Sequence, residues 1–173
     1  MYGDEKRTQV ISQTGLFIAL IAIGSYFVIP MIPVPITLQT LFVLLCGCIM
    51  KRYALIAVLL YVILGIIGLP VFHQFTSGPG ILLGPTGGYL IGFILAALIV
   101  GLSYEKKSRF IRICGLFLGT TAIALCGVLW IALSTGISFF EAVLIGAVPF
   151  IVGDLIKITL AFFISARVES YND

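Results

Sequence analysis

The sequence predicts an all-α membrane protein, a bundle of six transmembrane helices with both termini in the cytoplasm. Of the 173 residues, 61% are hydrophobic and only 10% are charged, whereas soluble domains carry about 25% charged residues. The apolar residues form long runs, and a bilayer core of about 30 Å requires about 20 of them for each helix. We therefore expect residues 1–173 to form a single integral membrane domain without a soluble catalytic domain.

The apolar runs divide the chain into six predicted spans. They cover residues 10–29, 36–50, 53–69, 87–102, 113–133 and 149–167. The second span is short, about 22 Å from the helical rise. We expect neighbouring loops to fill part of the membrane depth there.

Positive charges predict the orientation of these spans. Nine of the ten Lys and Arg residues fall in the two termini or in the second and fourth connections, and the other three connections have none. The nine are Lys6, Arg7, Lys51, Arg52, Lys106, Lys107, Arg109, Arg112 and Arg167. Cytoplasmic loops are enriched in such residues, so we expect an N-in, C-in topology. This distribution explains the basic residues through topology and lipid contact, without nucleic acid.

The four cysteines do not indicate a metal site or a disulfide framework. Cys46, Cys48, Cys114 and Cys126 all lie in apolar runs, with neither a C-x-x-C pair nor a nearby histidine. We interpret them as small side chains of the helix core.

The three outward connections are unusually apolar for loops facing water. Three prolines in Pro30–Pro35 exclude a helix, and Val71–Pro85 is rich in aliphatic and aromatic residues. We expect both loops to fold over the bundle or over a ligand. The glycine-rich segment Gly84–Tyr89 lacks the Lys-Ser/Thr ending of a phosphate loop. In the last connection, Ser138 and Glu141 have the spacing of a capping box, which predicts a short helix there.

The predicted site rests on polar residues inside the membrane. Asp154 and Lys157 share one face of the sixth span, and charged residues at that depth indicate a functional site by default. Gln39 and Tyr89 lie near the outer ends of spans two and four. The alternatives are an ion pair or interhelical hydrogen bond that only holds helices together, and an interfacial tyrosine. We interpret His73 as a loop residue, solvated or packed within the lid.

These four residues, Gln39, Tyr89, Asp154 and Lys157, are expected to converge. Spans two, four and six all run inward, so their N-termini, with partial positive charge and unpaired N–H groups, meet at the outer side. Such a site suits a small, largely apolar ligand with an anionic group. Span one carries the small residues Gly15, Ala19 and Ala22 at helical spacing, which permits close contact with a partner or within this bundle.

Four motifs stand out along the chain: Pro33–Thr40, Gly68–Phe72, Gly84–Tyr89 and Gly153–Lys157. Together they resemble the BioY family, the biotin-specific S-components of energy-coupling factor (ECF) transporters. The resemblance implies a six-helix bundle of the ECF S-component type that captures biotin from outside, beneath lids made by the first and third loops. It also implies a transmembrane scaffold subunit and two ATPase subunits as partners, with the span-one stripe facing the scaffold. The third loop departs from the family pattern at His73–Phe75.

The residues and the resemblance together predict function and leave alternatives to be tested. Biotin offers two ureido N–H donors, which Asp154 can accept, and a ureido carbonyl, to which Lys157 can donate. The carboxylate of biotin could meet Gln39, Tyr89, loop N–H groups or Lys157 itself. We expect a subunit without enzymatic activity or cofactor, in the plasma membrane of a prokaryote. An intramembrane enzyme using Asp154, or a self-sufficient secondary transporter, is the alternative.

Overall fold

In a computed structural model, which describes residues 2–172 and the side chains of residues 4–171, the chain is mostly helical. The helices, in chain order, are α1 (Tyr2–Tyr26), α2 (Gln39–Met50), α3 (Ala54–Ile66), α4 (Pro79–Leu83), α5 (Gly87–Tyr104), α6 (Arg109–Thr135), α7 (Phe139–Gly146) and α8 (Ile151–Asn172). Short 3-10 turns occupy Lys51–Tyr53, His73–Phe75 and Val148–Phe150. The prediction of an all-α membrane fold is confirmed.

Five helical stretches are long and apolar enough to cross a membrane. They are Asp4–Tyr26, Gln39–Ile66, Gly87–Tyr104, Arg109–Thr135 and Phe139–Tyr171. The second stretch contains both α2 and α3, which have only 12 and 13 residues, about 18–20 Å each. The count of six spans and the N-in, C-in orientation therefore stay predictions.

Helices α2 and α3 form an antiparallel hairpin. Lys51, with the positive φ of 54°, interrupts the helical path between them. At the other end of α2, the side-chain NH₂ of Gln39 donates a hydrogen bond to the hydroxyl of Tyr61 on α3, at 2.5 Å. The chain therefore runs down α2, turns at Lys51–Tyr53 and returns along α3.

The proline-rich connection after α1 contains a small hairpin. Strands β1 (Val28–Ile29) and β2 (Ile36–Thr37) pair antiparallel, and the peptide bond before Pro33 is cis. The second predicted span was therefore placed too early, since Ile36 and Thr37 are extended and α2 begins at Gln39. The prolines explain why this segment is not helical.

The cation-bearing segments meet at one end of the bundle. The Lys6 ammonium of α1 lies 5.9 Å from the ring centroid of Tyr53. A guanidinium nitrogen of Arg52 donates to Glu105, after α5, at 3.0 Å. On the other side of the same end, Arg112 of α6 bonds to Glu169 of α8 at 2.6 Å. Hereafter we name this the cationic end; lysines and arginines of α1, the α2–α3 turn and the α5–α6 connection all lie there.

Helix limits outside the apolar runs differ from the predicted spans. Helix α1 begins at Tyr2 instead of Val10, and α8 continues to Asn172 beyond Arg167. Hydropathy marks only the membrane-embedded part of a helix, whereas backbone hydrogen bonding continues through polar residues at its ends. The capping box is confirmed: Ser138 Oγ accepts from the Glu141 backbone N–H, and the Glu141 carboxylate accepts from the Ser138 backbone N–H.

Candidate functional site

A cavity lies at the end of the bundle opposite the cationic end. Its walls are mostly apolar, with a few polar side chains. The lining residues used below are Val34, Thr37, Gln39, Phe72, His73, Tyr89, Gly146, Phe150, Asp154 and Lys157.

The first turns of α8 place an ion pair in this cavity. Lys157 Nζ lies 3.2 Å from Asp154 Oδ1, and the two side chains are 7% and 20% exposed. They lie about 4.5–9 Å along the axis from the helix start at Ile151. A buried pair is costly in low dielectric unless further polar partners complete it. The pair can therefore both donate to and accept from a polar group in the cavity.

Three helix N-termini converge on the cavity, as the predicted orientation of the spans requires. Gln39 is the first residue of α2, Tyr89 the third of α5, and Asp154 the fourth of α8. All three side chains line the same cavity. Their helix dipoles give this region partial positive charge, which favours an anionic group.

Gln39 is held in a hydrogen-bonded chain that reaches the third loop. Its side-chain NH₂ donates to the Tyr61 hydroxyl at 2.5 Å, and that hydroxyl donates to the Val71 carbonyl at 2.9 Å. The Thr37 hydroxyl donates to Gln39 Oε1 at 3.2 Å. Tyr61 is fully buried. The polar floor of the cavity is thus linked to the loop above it.

Three consecutive carbonyls of the third loop accept hydrogen bonds from the bundle. The Pro70, Val71 and Phe72 carbonyls bond to Tyr26 at 2.8 Å, Tyr61 at 2.9 Å and Ser25 at 3.2 Å, in that order. The expectation that this loop folds down over the bundle is confirmed. It forms a lid whose buried residues include Phe72, which lines the cavity.

Close backbone approach positions the ring of Tyr89. A Cβ on Gly127 of α6 would overlap this ring, so only glycine leaves room for it. The hydroxyl of Tyr89 donates to the Gly146 carbonyl at the end of α7, at 2.6 Å. The ring also lies 6.0 Å from Phe150. Tyr89 therefore joins α5, α6 and the α7–α8 connection at the cavity wall.

The structure brings together the four predicted site residues and leaves the span-one stripe elsewhere. Gly15 and Ala19 are exposed and Ala22 is half-buried on α1. Within the described part of the chain, nothing lies within 4 Å of a Cβ placed on Gly15. Gly15 and Ala19 face outward, whereas Ala22 packs against the hydrophobic core of the bundle.

Sequence reasoning missed Tyr61 and Thr37. Tyr61 lies in an almost uniformly apolar helix, where a tyrosine is easily assigned to the lipid interface. Thr37, two residues before Gln39, gave a weak signal as a hydroxyl near a helix start. Among the described residues, no group of three or more His, Cys, Asp or Glu side chains is placed to hold a metal ion.

Comparison with known proteins shows the family to which this chain belongs. The family model described as the BioY family matches residues 3–172. The chain belongs to the BioY family. The biotin transporter BioY of Thermotoga maritima is 40% identical over 163 residues, which are 91% of this chain and 94% of that protein. A probable biotin transporter BioY of Pyrococcus horikoshii is 37% identical, over 94% of this chain and 98% of its own.

A solved structure has a fold similar to that of this BioY-family chain. The crystal structure of the S-component for biotin from an ECF-type ABC transporter superposes with a TM-score of 0.87. The match has 26% identity and covers 96% of this chain and 93% of that one. Together with its apolar helices, these matches make the chain a multi-pass membrane protein of a prokaryote.

Proposed function

We propose that this chain is the substrate-binding membrane subunit of an ECF-type importer and that it binds biotin. The observation that carries the proposal is the mostly apolar cavity in which Asp154, Lys157, Gln39 and Tyr89 meet beneath a hydrogen-bonded lid. Biotin has the matching chemistry, an apolar ring system with a ureido group at one end and a carboxylate at the other. The names of the proteins to which this chain is similar support the same ligand.

The ion pair is proposed as the main polar contact. Asp154 accepts from a ureido N–H, and Lys157 donates either to the ureido carbonyl or to the carboxylate. Gln39 and Tyr89 supply further polar contacts. Adding a carboxylate to a neutral ion pair brings a net negative charge, and the N-termini of α2, α5 and α8 offset it.

The orientation follows from the charges. The cationic end is proposed to face the cytoplasm, which turns the cavity and its lid outward. The chain then captures biotin outside and delivers it inward with a scaffold subunit and two ATPase subunits. The exposed stripe of Gly15 and Ala19, with half-buried Ala22, supports α1 as the surface that meets the scaffold.

Ligand binding tests the proposal directly. We expect the purified chain in lipid nanodiscs to bind biotin saturably at one site, and desthiobiotin, which keeps the ureido ring and the carboxylate, to compete for it. Thiamine and riboflavin serve as unrelated vitamins that should not compete. Absence of saturable biotin binding would contradict the proposal.

Uptake separates an importer subunit from a self-sufficient transporter. We expect proteoliposomes with the chain alone to accumulate no biotin, and those that also hold the scaffold and ATPase subunits to do so only with ATP. Accumulation of biotin by the chain alone, without ATP, would contradict the proposed dependence on partner subunits.

A further inference from the structure

Tyr61 lies behind the cavity wall and connects it to the lid. Its side chain is fully buried, and it lies outside the set of described residues that line the cavity. Its hydroxyl lies 2.5 Å from Gln39 Nε2 and 2.9 Å from the Val71 carbonyl oxygen. One hydroxyl therefore contacts both a proposed ligand-binding side chain and the lid backbone.

The directions of these hydrogen bonds fix the amide of Gln39. A carbonyl oxygen can only accept, so the Tyr61 hydroxyl donates its single proton to Val71. Its oxygen is then free to accept, and the group that faces it must be the NH₂ of Gln39. The Thr37 hydroxyl, which donates to Oε1 at 3.2 Å, requires the same orientation. Without such partners, the two orientations of a glutamine amide are nearly equivalent in shape.

We propose that Tyr61 is a positioning residue for the biotin site. By holding the Gln39 amide in one orientation, it leaves one N–H and one oxygen lone pair in a fixed arrangement toward the ligand. The inference rests on the proposed function, because it takes Gln39 as a contact of biotin.

The neighbouring lid contacts provide a matched comparison. Tyr26 and Ser25 bond to the Pro70 and Phe72 carbonyls, on either side of Val71. Like Tyr61 they anchor the lid, but the Tyr61 hydroxyl also bonds to Gln39. Tyr26→Phe thus loosens the lid without removing the partner of Gln39. Tyr104→Phe removes another buried hydroxyl, which bonds to Ser165 at 3.1 Å.

The first experiment observes the Gln39 amide without ligand. The chain has four glutamines, Gln9, Gln13, Gln39 and Gln74, so glutamine-selective ¹⁵N labelling gives few side-chain NH₂ signals. Gln39→Met identifies the Gln39 pair by its loss. We expect Tyr61→Phe to shift this pair and to accelerate its hydrogen exchange, while Tyr26→Phe and Tyr104→Phe leave it in place. An unchanged pair in Tyr61→Phe overturns the inference.

The second experiment measures biotin affinity in a double-mutant cycle. Tyr61→Phe is expected to weaken binding about tenfold, and less than about threefold in a Gln39→Met background, since the hydrogen bond then has no amide to orient. Equal losses in both backgrounds, or the same loss in Tyr104→Phe, overturn the inference. Should Tyr61→Phe not fold, Thr37→Val removes the other hold on Gln39 and is expected to shift the same NH₂ signals.

The two experiments separate this inference from the proposed function. A wild-type chain that binds no biotin overturns the proposed function, and with it the role of Tyr61 toward biotin. If the chain binds biotin but the Gln39 signals do not change in Tyr61→Phe, the inference alone is overturned.

Discussion

Both ends of the helix bundle carry ion pairs, but the two ends bury them to different extents. At the cavity end, the Lys157 and Asp154 side chains are 7% and 20% exposed. At the cationic end, the Arg52 and Glu105 side chains are 65% and 24% exposed, and those of Arg112 and Glu169 are 18% and 35% exposed. Ion pairs therefore occupy two environments, one enclosed by helices and a lid and the other more open to water.

The difference separates function from topology. Exposed ion pairs cost little and contribute little, because water already solvates both charges. A buried pair loses that solvation, so a membrane protein keeps it where a ligand or a proton uses it. We therefore expect substitutions at the cavity end to change ligand affinity strongly, and equivalent substitutions at the cationic end to leave it nearly unchanged.

The largest expected effect comes from removing one member of the buried pair. Lys157→Met keeps the length of the side chain but removes its charge. We expect a loss of biotin affinity of about 100-fold or more, because truncating one partner of a buried charge pair leaves the other unpaired. The control, Arg52→Gln, breaks the exposed pair and should change affinity by less than about twofold. Isothermal titration of both variants in nanodiscs provides the measurement.

A second ligand sharpens this prediction. The primary amide of biotin keeps the ureido ring and lacks the carboxylate charge. If Lys157 meets the carboxylate, Lys157→Met loses more affinity for biotin than for the amide; if it meets the ureido carbonyl, both ligands lose equally. Unchanged affinity in both Lys157→Met and Asp154→Asn would remove the proposed site.

An intermediate effect is expected where a glycine makes room for the cavity wall. In Gly127→Ala the new Cβ overlaps the Tyr89 ring, which must move away from Gly146. We expect about a tenfold loss of biotin affinity, comparable to one or two lost contacts. Gly15→Ala is the matched control, since its Cβ points into open space within the described structure and alanine favours the helix.

Two further variants, Tyr89→Phe and Gly15→Ala, test whether the cavity wall depends specifically on Gly127. Tyr89→Phe keeps the ring in place and removes its hydroxyl, which bonds to Gly146 and is a proposed contact of biotin. It should lose less affinity than Gly127→Ala, which displaces the ring together with its hydroxyl. If Gly15→Ala weakens biotin binding as much as Gly127→Ala does, small changes anywhere in the helices affect the site. The cavity wall would then have no special dependence on Gly127.

Most of the helical architecture could be predicted from hydropathy, and its failures have physical causes. Apolar runs mark the membrane-embedded centres of helices, so α5, predicted from Gly87, begins there. The same signal misses polar helical ends, as at the start of α1. It also treats Ile36 as part of a span, although the preceding prolines hold that residue in a strand.

The charged part of the site was predictable because charges in apolar runs stand out. Asp154 and Lys157 are adjacent on one helical face, and the direction of the spans is enough to bring Gln39 and Tyr89 to the same depth. Tyr61 was not predictable in this way. Its role depends on the α2–α3 hairpin and on the path of the lid, and neither of these is a local property of the sequence around it.

The smallest expected effect concerns pH and the lid. Burial lowers the pKa of His73, a half-buried residue of the lid, below its ordinary value of 6.5. An open lid exposes the imidazole and lets it bind a proton more readily, so closure weakens as the pH falls from about 6.5 through the lowered pKa. We expect biotin to dissociate about twofold faster at a pH of about 5.5 than at about 7.5, as measured by stopped flow.

The variant His73→Asn isolates this contribution. Any pH dependence that persists in the variant belongs to groups other than His73. Glu105 at the cationic end should contribute nothing over this range, because Arg52 holds its pKa below the ordinary value of 4.5. Equal acceleration in the wild type and in His73→Asn would show that the histidine does not govern the lid. If the dissociation rate of biotin no longer depends on pH in His73→Asn, the pH sensitivity belongs to His73 in the lid.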